Sequence, residues 1–273
     1  MSSTLAIKIR RKLIKKYIKL THDKADWYKA DYWPDIKNIE DEYYFQKNLI
    51  PTQKLSTLQT EHDNVNIIGS GPSINKLDLA EIKNSANIYL NGAISIAHDK
   101  NLPVFAHVIM DFNFVYNRFD IIKNTKKGTN LILSLGALCA IAERDMDLLL
   151  SCNIFVFKTE KISASNLLST DIDSFIVDGG SVMSIAVQIA YRMQAPMIYL
   201  LGLDISNATQ PRFYENDKNK QKCGLQKDYE NKILPFMMEA AKVAQANGID
   251  IVNCSPISKL PFDIIPYSNQ YEK

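Results

Sequence analysis

The chain has little cysteine and no pattern in what it has. Cys139, Cys152, Cys223 and Cys254 include no C-x-x-C pair, which argues against a disulfide framework or a structural zinc site and fits a reducing cytoplasm. No run of about 18 uncharged apolar residues exists, so nothing is expected to span a membrane. The nearest candidate, 185–203, is broken by Gln188, Arg192, Gln194 and Pro196. An uninterrupted apolar h-region, the mark of a signal peptide, is missing too. Histidine stops early: His22, His62, His98 and His107 are followed by none. No Ser-His-Asp arrangement can be argued from them, and His107, in an apolar strand, reads as a core histidine. The G-x-x-x-x-G-K-[ST] string of a P-loop is absent, as are internal repeats and low-complexity segments.

What is present suits one large α/β domain, alone or with an appendage: 273 residues, 46% hydrophobic and 23% charged. The net charge of +2 conceals an asymmetry. Residues 1–20 hold seven of the 32 bases and no acid, leaving 25 bases against 30 acids, or −5, for the rest. A body of that sign is a poor general nucleic-acid binder, and no nucleic-acid partner is expected. Residues 3–20 read as a basic amphipathic helix, with Ile7, Leu13, Ile14, Tyr17 and Ile18 near helical spacing. Such a helix either anchors in the plane of an anionic membrane surface or packs, solvated, on the body. Residues 21–63 are aromatic and acidic (Trp27, Tyr28, Tyr32, Trp33, Tyr43, Tyr44). One or two helices that pack on the main domain are expected there, then a polar linker over 51–63.

From Val65 onward strands and helices alternate. Strands are expected at 65–68, 87–90, 104–109, 130–133, 153–157, 197–201 and 249–252, with helices clearest at 137–150, 181–194 and 225–246. This predicts a Rossmann-like, mostly parallel α/β sheet with helices on both faces over 64–273, preceded by the N-terminal segment 1–63. Ligands of such sheets bind beyond the carboxyl ends of the strands. The first such end is Ile68-Gly69-Ser70-Gly71-Pro72-Ser73, a strand, a tight glycine turn and a helix start. Its backbone N–H groups could hold phosphate, or it is an ordinary strand-to-helix turn, since G-x-G alone is a weak signal. Lying at the edge of the sheet, Gly71 is expected to accept a side chain without unfolding the body.

The other strand ends supply Asn91-Gly92, Asp111–Asn113 with the carboxylate Asp111, a second glycine turn at Asp178-Gly179-Gly180-Ser181, Gly202–Ser206 with Asp204, and Ser255. Each could be a loop cap; on one edge together they are site candidates. The polar stretch 206–228 carries Arg212, Phe213 and Tyr214 and reads as a lid or a disordered insert. Asp145-Met146-Asp147 and Asp171-Ile172-Asp173 are D-x-D strings, the first placed within a helix and the second in a polar loop. No metal site is expected from either.

In order, G-S-G-P-S, L-N-G-A, Asp111, G-G-S-V-M-S-I-A-V-Q-I-A-Y, L-L-G-L-D, P-R-F-Y-E-N and C-S-P-I-S-K-L-P-F-D-I-I-P-Y resemble the RfaZ/WaaZ lipopolysaccharide core proteins. These are assigned as transferases of Kdo, a 2-keto acid sugar. A more distant similarity is to bacterial CMP-sialic acid transferases. The resemblance spans about residues 65–267. It implies a metal-independent, inverting glycosyltransferase with CMP-Kdo as donor, no further cofactor, and a lipid-linked core sugar as acceptor. The enzyme would sit peripherally on the cytoplasmic face of a bacterial inner membrane. It further implies Gly69, Ser70, Gly71, Ser73 and Asn91 at the nucleotide and Gly180 and Ser181 near its phosphate. Asp204, Arg212 and Tyr214 would then border the donor. The sialyltransferases take their base from a lid histidine, which this chain lacks, so Asp111 is expected to serve. Another CMP-keto acid sugar such as CMP-sialic acid is an alternative donor. A pterin diphosphokinase-like phosphotransferase, with magnesium held by carboxylates around Asp111 and Asp204, and a non-catalytic nucleotide-binding membrane adaptor are the readings from other classes.

Overall fold

A computed structural model describes residues 4–22, 35–206, 210–216 and 224–273. Trp27, Tyr28, Tyr32 and Trp33 lie outside these residues. The basic helix is α1 (Thr4–Thr21). Where helices were expected next, the chain instead forms a small antiparallel sheet of β1 (Ile36–Ile39), β2 (Glu42–Phe45) and β3 (Asn48–Ile50). Tyr43 and Phe45 are buried and alternate with the exposed Glu42 and half-buried Tyr44, the two-residue period of a strand. Both hairpins turn on two residues at positive φ, Glu40-Asp41 and Gln46-Lys47. Such turns normally announce themselves with Asn-Gly or Asp-Gly. Here no glycine marks them, which is why the pattern passes for helix.

The main sheet follows the expected alternation. In chain order come β4 (Thr52–Gln53), β5 (Asn64–Ile68), β6 (Ala86–Leu90), α2 (Ile94–Lys100) and β7 (Ala106–Ile109). Next are α3 (Phe112–Asn117), α4 (Phe119–Ile122), β8 (Asn130–Ser134), α5 (Leu135–Arg144), α6 (Met146–Leu150), β9 (Asn153–Phe157) and the short β10 (Thr159–Lys161). The chain ends with β11 (Ile176–Asp178), α7 (Val182–Arg192), β12 (Met197–Leu201), α8 (Leu225–Asp228), α9 (Leu234–Ala246) and β13 (Asp250–Asn253). Among the described residues eight strands pair in the order β13-β12-β5-β6-β7-β8-β9-β4, every pair parallel. The stretch expected as a linker thus supplies an edge strand, β4, and buries Leu55 and Leu58 in the core.

Period-two burial fixes the layers. Val65 and Ile67 of β5 face the cluster built with α7 and α9, while Ile68 joins the cluster under α2. Burying a side chain such as Ile67 fully contributes about 1.5–3 kcal/mol. A third cluster joins α5 to the small antiparallel sheet. Two expected helices are interrupted for local reasons. At Asp145 (φ −160°) the helix expected over 137–150 breaks, and the Asp145 carboxylate accepts the N–H of Leu148 at 2.9 Å to cap α6. A π-helical turn over Tyr229–Ile233 precedes α9, whose first turn holds Pro235, a residue unable to continue the helical hydrogen bonds of 225–246.

Candidate functional site

Between β5 and β12 the sheet order reverses: the chain builds outward from β5 through β6 to β9, then returns to place β12 on the other side. The crevice at such a switch point is where open parallel sheets bind ligands. The two exit turns meet there, backbone to backbone. Gly69 N–H donates to the Leu201 carbonyl at 2.8 Å and Gly71 N–H to the Gly202 carbonyl at 3.0 Å. A Cβ on Gly69 would lie 2.8 Å from the Gly202 carbonyl oxygen, and Gly202 itself sits at φ +66°. Ser73 then donates its N–H and its hydroxyl to the two Asp204 oxygens, at 2.6 and 2.5 Å. Its hydroxyl also lies 3.3 Å from that of Ser255, which accepts the N–H of Leu203 at 2.8 Å. Thus the N–H groups of Gly69, Gly71 and Ser73 are bonded within the protein and Pro72 has none. Of the turn expected to cradle phosphate, Ser70 carries the N–H that is left.

The next strand exit presents Asn91, held at φ +45°. Its side-chain oxygen accepts the N–H of Met110 at 3.3 Å. A backbone N–H needs an acceptor, so the amide must turn its oxygen that way and leave its NH₂ to the cleft. Beneath it the wholly buried His107 sets the backbone: Nε2 meets the Asn91 carbonyl oxygen at 2.7 Å. A carbonyl only accepts, so Nε2 carries the proton, and Nδ1 is buried without a partner. Burial pushes the His107 imidazole down to about 4, against an ordinary 6.5, so the ring is neutral. Asp111 lies exposed at the β7 exit and caps α3 through Oδ1, which accepts from Asn113 N–H at 2.8 Å.

Opposite stands the second glycine turn. Gly180 (φ +85°) donates its N–H to Asp178 Oδ1 at 3.0 Å, and Gly179 donates to the Ser184 hydroxyl at 3.1 Å. Ser181 occupies the N-cap of the eleven-residue α7, yet its side chain makes no cap hydrogen bond. Its Oγ is buried and unpartnered. A serine in that position ordinarily accepts from the first-turn N–H groups. Here the Ser184 N–H turns to the Ser181 carbonyl at 3.1 Å, and the hydroxyl and the N–H groups of Val182 and Met183 are left for something else.

Residues 210–216, the described part of the stretch expected as a lid or insert, line one side of the cleft. Arg212 pairs with Glu215 at 2.8 Å, and the Glu215 side chain is only 1% exposed. Phe213 N–H donates to the Ser70 carbonyl at 3.2 Å, and the Tyr214 side chain is hydrogen-bonded to Ser70. The Tyr214 ring fills the space a Cβ on Gly92 would take, with the Arg118 guanidinium 5.6 Å from its centroid. Burial raises the Tyr214 phenol to about 12, so it stays protonated. Tyr214 therefore latches the lid to the first glycine turn rather than facing the cleft.

The resulting cleft holds about 490 Å³ and is lined by Gly69, Ser70, Gly71, Asn91, Asp111, Gly180, Ser181, Asp204 and Arg212, with Ser73 and Tyr214 just behind its wall. Phe112, within the expected strand end 111–113, lines it too, as do Glu215 and Gln210, which were not singled out from the sequence. A clue to Glu215 was its position three residues after Arg212. A larger groove of about 600 Å³ lies toward the other end of α7. Gln188 within it is already satisfied by Ser169, Val177 and Ser184, and Arg192 and Glu239 also line it. Asp173 binds Ser56 and Asp171 binds Ser174, both stitching loops. Among the described residues no three His, Cys, Asp or Glu side chains gather as a metal-binding group.

Residues 37–210 match the family described as 6-hydroxymethylpterin diphosphokinase MptE-like. Two bacterial proteins named probable 3-deoxy-manno-octulosonic acid transferase are similar, which bears out the likeness carried by the motifs. The one from Escherichia coli K12 is 25% identical over 75% of this chain and 82% of its own length. The one from Salmonella typhimurium LT2 is 22% identical over 72% and 84%. Among solved structures, the sialyltransferase CST-II with a trisaccharide acceptor and CMP matches at 15% identity and TM-score 0.32, covering 77% of this chain and 90% of that one. An α-2,3-sialyltransferase from Campylobacter jejuni matches at 12% and 0.32, covering 82% and 87%. At that TM-score no residue correspondence is defined.

Proposed function

The chain belongs to the 6-hydroxymethylpterin diphosphokinase MptE-like family, and within it we propose a glycosyltransferase that moves Kdo from CMP-Kdo to a lipid-linked inner-core sugar. The observation that carries this is Ser181: an N-cap serine that does not cap, at the mouth of α7, in a cleft shared with Arg212 and the donor face of Asn91. A leaving CMP is a phosphate monoester, and its developing charge needs donors already in place. The Ser181 hydroxyl and the N–H groups of Val182 and Met183 would supply them beside a positive dipole end. Asn91, presenting only NH₂, would donate to an acceptor on the base or ribose. Arg212 would exchange Glu215 for the sugar carboxylate. Asp111, open to solvent, would take the proton of the attacking hydroxyl as the anomeric carbon inverts. α1 would keep the enzyme peripheral on the membrane that carries the acceptor.

Support for the donor comes from the two transferases, similar over about three-quarters of the chain. A second reading follows from the family's own description, a pterin diphosphokinase. Against its carboxylate-held magnesium stands the geometry of Asp204, whose two oxygens are both engaged by Ser73. Pure protein should release CMP from CMP-Kdo, more slowly from CMP-sialic acid, and keep doing so in EDTA. Transfer of diphosphate from ATP to hydroxymethylpterin, with no CMP release from either sugar, would replace the first reading by the second. Tight CMP binding without turnover of any donor would leave an adaptor.

A further inference from the structure

The N-terminal helix has a face that nothing in the described chain covers. At 100° per residue its side chains divide into sectors. One sector meets the body: Ile18 is buried, Ile14 is half-buried, and Arg10 reaches Asp35 at 2.7 Å. Beside it Ile9, Leu13, Tyr17 and Leu20 fall within roughly 80° of one another. They are 50, 64, 64 and 76% exposed, four of the ten large apolar side chains so exposed among the described residues. The far edge of this stripe is bordered by the exposed Lys12 and Lys16.

We propose that this face of α1 docks on an anionic lipid bilayer, with Ile9, Leu13, Tyr17 and Leu20 in the headgroup–acyl boundary and the lysine edge against the headgroups. The charge of the helix fits this occupant, and it is the helix rather than the body that an anionic bilayer attracts. Residues 1–20 carry seven bases and no acid, whereas the remainder is net −5 and is repelled by an anionic membrane. An apolar stripe edged by lysines is the pattern of a helix lying in the interface, and no helix among the described residues is long and apolar enough to cross. Arg10–Asp35 and Ile18 make the docking directional, because they hold the helix to the body while its stripe faces away. The face gives the membrane part of the proposed function its geometry and does not depend on the donor.

Vesicle sedimentation of the full chain tests it without any turnover. Wild-type protein should pellet with phosphatidylcholine vesicles containing phosphatidylglycerol at low salt, and far less with phosphatidylcholine alone. Leu13→Ser/Tyr17→Ser/Leu20→Ser should weaken binding about tenfold or more at every salt concentration. Lys12→Gln/Lys16→Gln should weaken it roughly 30-fold at low salt and flatten its salt dependence. These side chains are exposed, so the thermal unfolding of both variants should match wild type. Deleting the helix is a poorer probe, since it strips Arg10 and Ile18 from the body. Should the triple variant not fold, Leu13→Ser and Leu20→Ser singly read the same loss in smaller steps. Equal pelleting of the stripe variants and wild type would overturn the proposal. So would a wild type that ignores vesicles but dimerises through the stripe, seen as a dimer lost in the triple variant by sedimentation velocity.

Discussion

Gly71 and Asp204 are so close that a Cβ on Gly71 would come within 2.5 Å of the Asp204 side-chain carbon and 2.6 Å of its Oδ2. That carboxylate is buried and holds Ser73 by two hydrogen bonds. The glycine is there for the contact between the β5 and β12 turns. The premise that Gly71 stands at a free edge of the sheet is therefore corrected: a side chain there meets a buried carboxylate.

Gly71→Ala should cost about 1–3 kcal/mol of stability, the usual penalty of overpacking a filled site, and Gly71→Val more. Urea unfolding in the absence of ligand measures it. An alanine variant as stable as wild type would mean the two turns can separate freely.

Ser181→Ala should show opposite signs in two measurements. Removing a buried hydroxyl that has no partner leaves the unliganded protein as stable as wild type or slightly more so. If that hydroxyl waits for a phosphate oxygen, CMP affinity should fall about tenfold, the worth of one such hydrogen bond. Calorimetric titration with CMP alongside thermal unfolding reads both. Unchanged affinity would remove the phosphate from the mouth of α7.

Arg212→Ala should depress turnover of CMP-Kdo roughly 30- to 1,000-fold while CMP affinity stays within a few-fold. This is the outcome expected if Arg212 meets the sugar carboxylate or developing charge rather than the nucleotide, as proposed. Paired titrations of CMP binding and turnover separate the cases. Equal losses in both would make Arg212 a ground-state nucleotide ligand.

His107 should make stability fall on acidification. Its folded pKa is depressed to about 4 from 6.5, so between those values the unfolded chain binds a proton that the native protein does not. Stability is fully present above pH 6.5 and is lost toward pH 4 at about 1.4 kcal/mol per pH unit. His107→Gln, which can still donate to the Asn91 carbonyl, should lack this slope, so the stability difference between variant and wild type should change with pH between 6.5 and 4. Urea midpoints at pH 4.5, 5.5 and 7 would show it, and parallel curves would mean that His107 titrates normally.

Much of the main sheet was legible along the chain because parallel strands buried on both faces write their burial as apolar runs. Segments such as 65–68, 130–133 and 197–201 were read within a residue or two of the strands that form. The antiparallel sheet at 36–50 was not, since its turns place Glu40-Asp41 and Gln46-Lys47 in the left-handed region without a glycine to announce it. Strand ends also located Asn91, Asp111, Ser181 and Asp204, all of which reach one cleft.

What each of those residues can still offer was decided only in three dimensions. A glycine turn reads the same in sequence whether its N–H groups face a ligand or a neighbouring strand. Packing of β12 against β5 takes up the N–H groups of Gly69, Gly71 and Ser73 and both oxygens of Asp204. At α7 no such neighbour arrives, and Ser181 keeps its hydroxyl. Local sequence determines which groups stand at the ends of the strands. Which of them remain unbonded depends on strand order, because a hydrogen-bonding group is available only where no other part of the chain has come within about 3 Å of it.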